Sequence, residues 1–320
     1  MKPVSRLFFS ILASACVAQA AAASSAYPNR PIEMAILWQA GTAPDVVARA
    51  LAEGMSQHLK TPVIVLNKPG AGGAVAYRHV QSQKPDGYSL VMNSNSISTA
   101  YHSGSLPFDY KEFAPVAQVS IESPIIVVRA DAPYNNLTEL VDYARRNPGA
   151  LKVGNSGVGS HLQIASEAFF NKAGVEVAHI PFAAAVSIPS LVGGHIDASM
   201  TLPGSVAPLV ADGRLKVLGS LTQQRDPTFP KVATAIEQGF DYKADMWRGV
   251  AGPKGLPADV IARLEAAIKA TVEGEKFKQQ GLTSGFQPVF VPHGPFGATI
   301  AQEDPIIAEA MDKLGLKKSK

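Results

Sequence analysis

Short apolar runs alternate along this chain with longer segments whose apolar residues recur at a helical spacing. "IEMAILW" precedes "DVVARALAEGMSQHL", "PVIVLN" precedes "GGAVAYRHVQSQ", and "YSLVMNS" follows a "PDG" turn. "PIIVVR" then precedes "LTELVDYARRN", "LKVGNS" precedes "SHLQIASEAFFNKAG", and "LKVLGSL" precedes "VATAIEQG". Two helical segments, "VIARLEAAIKATVEG" and "FGATIAQEDPIIAEAMDKLG", close the chain. Such alternation predicts an α/β fold with mostly parallel sheets, because a parallel strand pair needs a crossover that a helix supplies. Asp45 is placed to cap the first helix, which carries Val46, Val47, Ala50, Leu51 and Met55 on one face. Asn136 and Thr138 precede the helix "ELVDYARR", and Gly149, Gly174 and Gly239 stand where helices should stop. No Gly/Ser-rich or Pro-rich linker divides the chain, so two domains would be joined by strands, an arrangement suited to a hinged clamp.

The first residues break this pattern. Lys2 and Arg6 precede the apolar "LFFSILASACVA", and the small residues "AQAAAASSA" follow. This is the organisation of a secretory signal peptide, too short for a membrane span. Residues 1–26 are read as a cleaved signal, with the cut between Ala20 and Ala26, and the mature chain as periplasmic. The single cysteine, Cys16, lies in that segment. Ala13 stands where a lipobox places Leu, which argues against lipoprotein anchoring through Cys16. Without Cys16 the mature chain has no thiol, disulfide or Cys-based metal site.

A hydrophobic content of 46% with 17% charged residues describes a chain able to bury a core. The net charge of +3, with no Lys/Arg cluster among aromatics, gives no footprint of a nucleic-acid partner. Nucleophile and metal motifs fail. "GNSGV" ends in Val158 where a nucleophile elbow needs Gly. His58, His79, His102, His161, His179, His195 and His293 show neither H-x-H nor H-x-x-x-H spacing. "NKPGAGG" and "GNSGVG" match neither a Walker loop nor a dinucleotide fingerprint. No catalytic residue, metal ligand or cofactor is therefore predicted. What remains is a set of small-polar loops: "WQAGTAP" and "NSNSIST" after the first and third strands, "NSGVGS" after another, and "FAAAVS" before a further helix. Ligands of open α/β sheets sit outside the carboxyl ends of strands, where such loops offer backbone N–H groups and hydroxyls to an anion. One such loop is an ordinary turn with a cap; four of them favour an anion or carboxylate site.

The same residues carry a resemblance over nearly the whole mature chain. "YPNRPIEM", "NKPGAGG", "PDGYSLVM", "LPFDYKEFAPVAQV", "NPGALKVGNSGVGS", "GRLKVLGSLTQQRDPTFPKVATAIEQG" and "MWRGVAGPKGLPADVIARL" resemble, in order and spacing, the periplasmic solute-binding proteins of the tripartite tricarboxylate transporter system, the Bug or TctC family. The resemblance implies an α/β, two-domain Venus-flytrap of the type II periplasmic binding class, each domain a mixed sheet flanked by helices. Domain 1 is expected at residues 27–126 plus 245–320 and domain 2 at 127–244, with the ligand cleft between them. It implies no catalysis and no cofactor. The expected protein is a monomer that hands a small carboxylate to a membrane permease of a large and a small subunit. A ligand sensor for a two-component system is the alternative.

Carried onto this chain, the family's ligand loops fall at Trp38, Gln39, Ala40, Gly41, Thr42, Ala43 and Asp45, and at Ser156, Val158, Gly159, Ser160 and His161. Asn93, Ser94 and Ser96, with Phe182, Ala183 and Thr201, complete the expected lining. For Asp45 the capping role explains its place better than ligand contact. The family's first loop usually reads like "PFPPGGGTD"; here it is "LWQAGTAPD". Phe182 stands where the family often has Tyr, and Gln163 where it has a His. Members that bind amino acids often place an Asp at the position of Thr201, so an α-ammonium would lack a countercharge here. Trp38, Phe182 and Trp247 suggest aromatic cleft walls, hence an aromatic carboxylate or dicarboxylate such as terephthalate, with an aliphatic di- or tricarboxylate as the alternative.

Overall fold

The computed structural model describes residues 27–182 and 186–318. The predicted signal segment and Ala183 lie outside the described residues. In chain order, β1 (Ile32–Ile36), α1 (Ala43–Leu59), β2 (Val63–Asn67), α2 (Ala74–Gln81), β3 (Ser89–Ser94), α3 (Ser96–His102) and β4 (Phe113–Glu122) come first. Next are β5 (Ile125–Arg129), α4 (Leu137–Arg146), β6 (Lys152–Asn155), α5 (His161–Lys172), β7 (Ala178–Pro181), α6 (Ser187–Val192), β8 (Ala198–Thr201), α7 (Ala207–Ala211) and β9 (Leu215–Ser220). The chain ends with β10 (Met246–Pro253), α8 (Ala258–Val272), α9 (Glu275–Ser284), β11 (Gln287–Pro292) and α10 (His293–Lys313).

The strands form two sheets, one ordered β11-β4-β10-β3-β1-β2 and the other β7-β6-β8-β5-β9. The chain leaves the first sheet after β4, builds the whole second sheet, and returns through β10. Each sheet carries its own apolar core. Ile32, Met34, Leu51, Met55, Leu90 and Leu264 belong to the first, and Val128, Leu140, Val153, Phe169 and Met200 to the second. Both sheets are mixed. β1 runs parallel to β2 and β3, and β6 to β7 and β8. β10 is antiparallel to β3 and β4, β11 to β4, and β5 to β8 and β9. The strand–helix alternation marks only the local parallel crossovers. It misses β10, which is buried along its whole length and so shows no alternation at all.

The expected start holds at α4 and is corrected at α1, where Asp45 lies inside the helix and does not occupy the cap position. Asn136 accepts from the Glu139 amide at 2.8 Å to open α4, and Ser160 accepts from the Gln163 amide at 3.1 Å to open α5. α1 starts two residues before Asp45, with Thr42 in the capping position. Its buried stripe is Val47, Ala48, Leu51, Ala52, Met55 and Leu59, with Val46 and Ala50 at the margin. The segment "VATAIEQG" is not a helix of several turns. Thr234 and Glu237 form a reciprocal capping box, the Glu237 amide to Thr234 Oγ1 at 3.1 Å and the Thr234 amide to Glu237 Oε2 at 2.7 Å. That single turn ends at Gly239, whose φ is 88°. "NSNSIST", expected as a loop, is mostly the helix α3.

Candidate functional site

The turn after β1 is braced from below. Asp45 is buried, and its carboxylate accepts from the Gly41 amide, from Arg49 Nε and from Asn67 Nδ2, each at 2.9 Å. Burial alone would push the Asp45 carboxyl up; the hydrogen bonds from Arg49, Asn67 and Gly41 overcome it and hold the group below its ordinary value. Asn67 Nδ2 also donates to the Trp38 carbonyl at 3.0 Å, and Thr42 Oγ1 donates to the Gln39 carbonyl at 2.8 Å. Gly41, at φ 80°, makes the left-handed step of this turn at little cost. Gln39, Ala40 and Gly41 are exposed, Thr42 and Trp38 are half-buried, and Ala43 is buried at the first turn of α1. With both its oxygens engaged, Asp45 holds the platform on which Trp38 stands.

Against the Trp38 ring lies a residue that sequence reasoning missed. The Arg248 guanidinium sits 4.3 Å from the ring centroid. Arg248 is wholly buried in β10, with Ser94 of β3 and Ser120 of β4 as its cross-strand neighbours. Its Nε donates to the carboxylate of Glu122, also buried, at the end of β4. Nη2 faces Met246 Sδ at 3.3 Å, and Nη1 has no partner. Burial pushes the Glu122 carboxyl up, Arg248 pulls it down, and the buried Asp226 pushes it up again.

Arg248 Nη1 is one of eight buried side-chain N and O atoms, among the described residues, that make no hydrogen bond. The others are Ser120 Oγ, Glu122 Oε1, Ser123 Oγ, both amide atoms of Asn155, and both ring nitrogens of His161. Native interiors leave few such atoms, and those they leave usually meet water or a ligand. Here they concentrate on the end of β4 and the step into β5, on β10, on the end of β6 and on the first residue of α5. The two sheets contribute jointly. His161, on the second, is pulled down to about 4 by burial first and by the Arg248 cation of the first. The Ala244 carbonyl opposes that shift without forming a good hydrogen bond.

The predicted loops take several roles around this cluster. Asn93 is buried and accepts from Tyr77 Oη at 2.8 Å and from the Ser94 amide at 2.9 Å. Ser94 Oγ accepts from the Ser96 amide at 3.2 Å, which opens α3, and Ser96 is itself buried. These three residues secure the backbone beside Arg248. In the loop after β6, Ser156 is half-buried and Val158 is 71% exposed. The Gly159 amide donates to Gln163 Oε1 at 2.7 Å, and Ser160 caps α5, which sets His161 at the helix start. A Cβ placed on Gly72 of the first lobe would stand 3.8 Å from the Gly159 carbonyl, so the two lips meet there. Phe182 lies over Gly154, where a Cβ would fall 3.2 Å from its ring and 2.5 Å from Ile196. Thr201 is buried at the end of β8, opposite Ile125. Trp247 is core: its ring packs edge-on to Phe296 at 5.0 Å, and its Nε1 donates to Glu303 at 2.6 Å.

Arg248 and Glu122 did carry a signal. Arg248 is the lone charge in "MWRGVAGP" and Glu122 the lone charge in "VAQVSIESPIIVV". A single charge in an otherwise buried run has to find a partner, and opposite charges in two such runs point to each other.

The model of the tripartite tricarboxylate transporter family receptor, TctC, matches residues 47–308. A UPF0065 protein from the gbd 5′ region of Cupriavidus necator is 31% identical over 305 residues, covering 94% of this chain and 92% of its own. A TctC solute-binding protein from Polaromonas superposes with a TM-score of 0.73 at 34% identity, covering 90% of this chain and 99% of its own. The periplasmic binding protein BugD superposes with a TM-score of 0.84 at 29% identity, covering 92% of this chain and all of its own, 100%.

Proposed function

Since the chain belongs to the tripartite tricarboxylate transporter receptor family, a family of periplasmic solute-binding proteins and not of enzymes, we propose that it captures a carboxylate between its two lobes and delivers it to a tripartite permease. The observation that carries this reading is the concentration of partnerless buried polar atoms around Arg248, supplied by both sheets. An arginine nitrogen with no partner, in a site shielded from water, is suited to a ligand carboxylate. The lobes built on residues 27–126 plus 245–320 and on 127–244 are the two halves that close on it. In this reading the chain is exported by its N-terminal signal, works as a monomer, and presents its closed form to the large and small permease subunits.

Trp38, half-buried and already stacked on Arg248, supports an aromatic body beside the guanidinium, as in terephthalate. A thermal-shift screen of the purified protein against aromatic and aliphatic mono-, di- and tricarboxylates tests both levels. An aromatic acid should raise Tm by the largest margin. If only aliphatic acids do so, the aromatic assignment is wrong. If no carboxylate stabilises the protein, the carboxylate reading itself fails.

A further inference from the structure

A pocket of about 270 Å³ lies between the segment that follows β9 and the end of α9 with the start of β11. Its lining shares no residue with the surroundings of Arg248. Pro227, Leu282, Phe286 and Pro288 give it apolar walls, Lys278 stands on α9, and Asp226 is its one carboxylate. Leu282 is 60% exposed, an open wall and not core. Asp226, by contrast, is only 2% exposed. Its Oδ1 accepts from the Thr228 amide at 2.8 Å, which fixes the turn. Its Oδ2 receives no hydrogen bond from a described residue, yet unlike Glu122 Oε1 it keeps some exposed surface, and the pocket is where Asp226 opens. The nearby cations are engaged elsewhere. Arg225 Nε donates to both oxygens of Glu237, at 3.0 and 2.9 Å, and Lys278 Nζ donates to Glu275 Oε1 at 2.9 Å. Behind Asp226, Glu122 is close enough for the two carboxylates to repel, and Arg248 is held by Glu122. Two buried carboxylates thus share one buried cation, and the unmatched charge is the one that lines the pocket.

We propose that this pocket is a second ligand site, for a small organic ammonium whose apolar body lies on Leu282, Phe286 and Pro288 and whose N–H donates to Asp226 Oδ2. A buried carboxylate with a free oxygen beside apolar walls matches a cation carried on an apolar body. Asp226 and Pro227 follow the last strand of the second sheet, whereas α9 packs on α1 and β11 of the first, so an occupant touches both lobes.

Fluorine NMR tests the proposal with para-fluorobenzylammonium as the probe. Titrated into the protein, it should bind saturably in the millimolar range or tighter, and the uncharged para-fluorobenzyl alcohol should bind about tenfold more weakly or not at all. Asp226→Asn keeps an acceptor for the Thr228 amide while removing the charge, and should weaken the ammonium about tenfold or more. Leu282→Arg, at an exposed position, sets a tethered guanidinium beside Asp226 and should weaken it as much. No saturable binding of the ammonium, an alcohol that binds as well, or binding that survives either substitution overturns the proposal. None of these outcomes bears on the carboxylate reading, which the acid screen decides separately. Circular dichroism establishes whether Asp226→Asn folds; if it does not, Leu282→Arg and the alcohol comparison decide.

Discussion

Arg248 is the residue whose removal tells most, because its ion pair is buried on both sides. Truncating one partner of such a pair strands the other charge, at a cost of about 3–5 kcal/mol, whereas replacing both by apolar side chains is often close to neutral. Arg248→Met should therefore destabilise the protein by about 3–5 kcal/mol in urea unfolding, and Arg248→Met with Glu122→Leu should recover more than half of that loss. Both variants should lose ligand binding, which separates the stability of the pair from its use. His161 makes a second prediction, with a definite sign. Its folded pKa of about 4 lies below the ordinary 6.5, so the unfolded chain binds the proton more readily. Its contribution is neutral above pH 6.5 and increasingly destabilising as the pH falls from 6.5 towards 4. His179, pulled down to about 4 by burial, acts in the same window. Denaturant titrations of His161→Gln against the parent protein should diverge through that window, the parent losing stability more steeply on acidification. Curves that stay parallel would contradict the buried neutral imidazole.

At the scale of the element, the β1–α1 turn shows how a loop is made into a platform. Asp45, the third residue of α1, reaches back to the Gly41 amide while Asn67 of β2 ties the same carboxylate to the Trp38 carbonyl. Asp45→Ala removes the acceptor of the Gly41 amide and one of the two acceptors of Asn67 Nδ2, loosening the turn that carries Trp38, and should cost about 1–3 kcal/mol in stability and weaken ligand binding. A variant that loses stability but keeps full affinity would show that the brace serves the fold alone. This turn also shows what sequence could and could not reveal. The apolar period placed α1, α4, α5, α8 and α10, because a helix with one buried face writes that face into its sequence. The small-polar loop after β1 was legible as a candidate by its position at a strand end, and its Trp38 lies against Arg248. The all-buried β10 was not, since a strand covered on both faces carries no alternation, and with it went Arg248. Glu122 and Asn155 escaped for a related reason. Glu122, like Arg248, shows locally only as a lone charge in an apolar run; that it meets Arg248, and that Asn155 belongs with the second sheet's share, follows from strand pairing and the two lobes, which no local pattern encodes.

At the scale of the whole molecule, α10 is one of the elements that touch both lobes, as is α9, whose end at Ser284 meets Gly204. Its first half is fixed to the first lobe, where Glu303 accepts from Trp247 Nε1 and from Asn95 Nδ2 at 2.9 Å, and Asp304 lies 3.1 Å from His102 Nε2. Its second half carries Ile307 and Met311 onto Ile164 of α5, in the second lobe. α5 is also the helix that begins with His161, so this small apolar contact holds the second lobe's share of the site against Arg248. In a protein that opens and closes around its ligand, a contact made between lobes biases the closed form, and its loss appears in apparent affinity before it appears in unfolding. Met311→Ala removes a fully buried side chain from that contact while leaving either sheet's own core intact. It should weaken ligand binding by about tenfold or more, with a far smaller fractional change in the unfolding midpoint of the ligand-free protein. Calorimetry and urea unfolding on the same variant decide the matter. A large loss of stability with unchanged affinity would mean that α10 and α5 are joined permanently and that the lobes close about some other line.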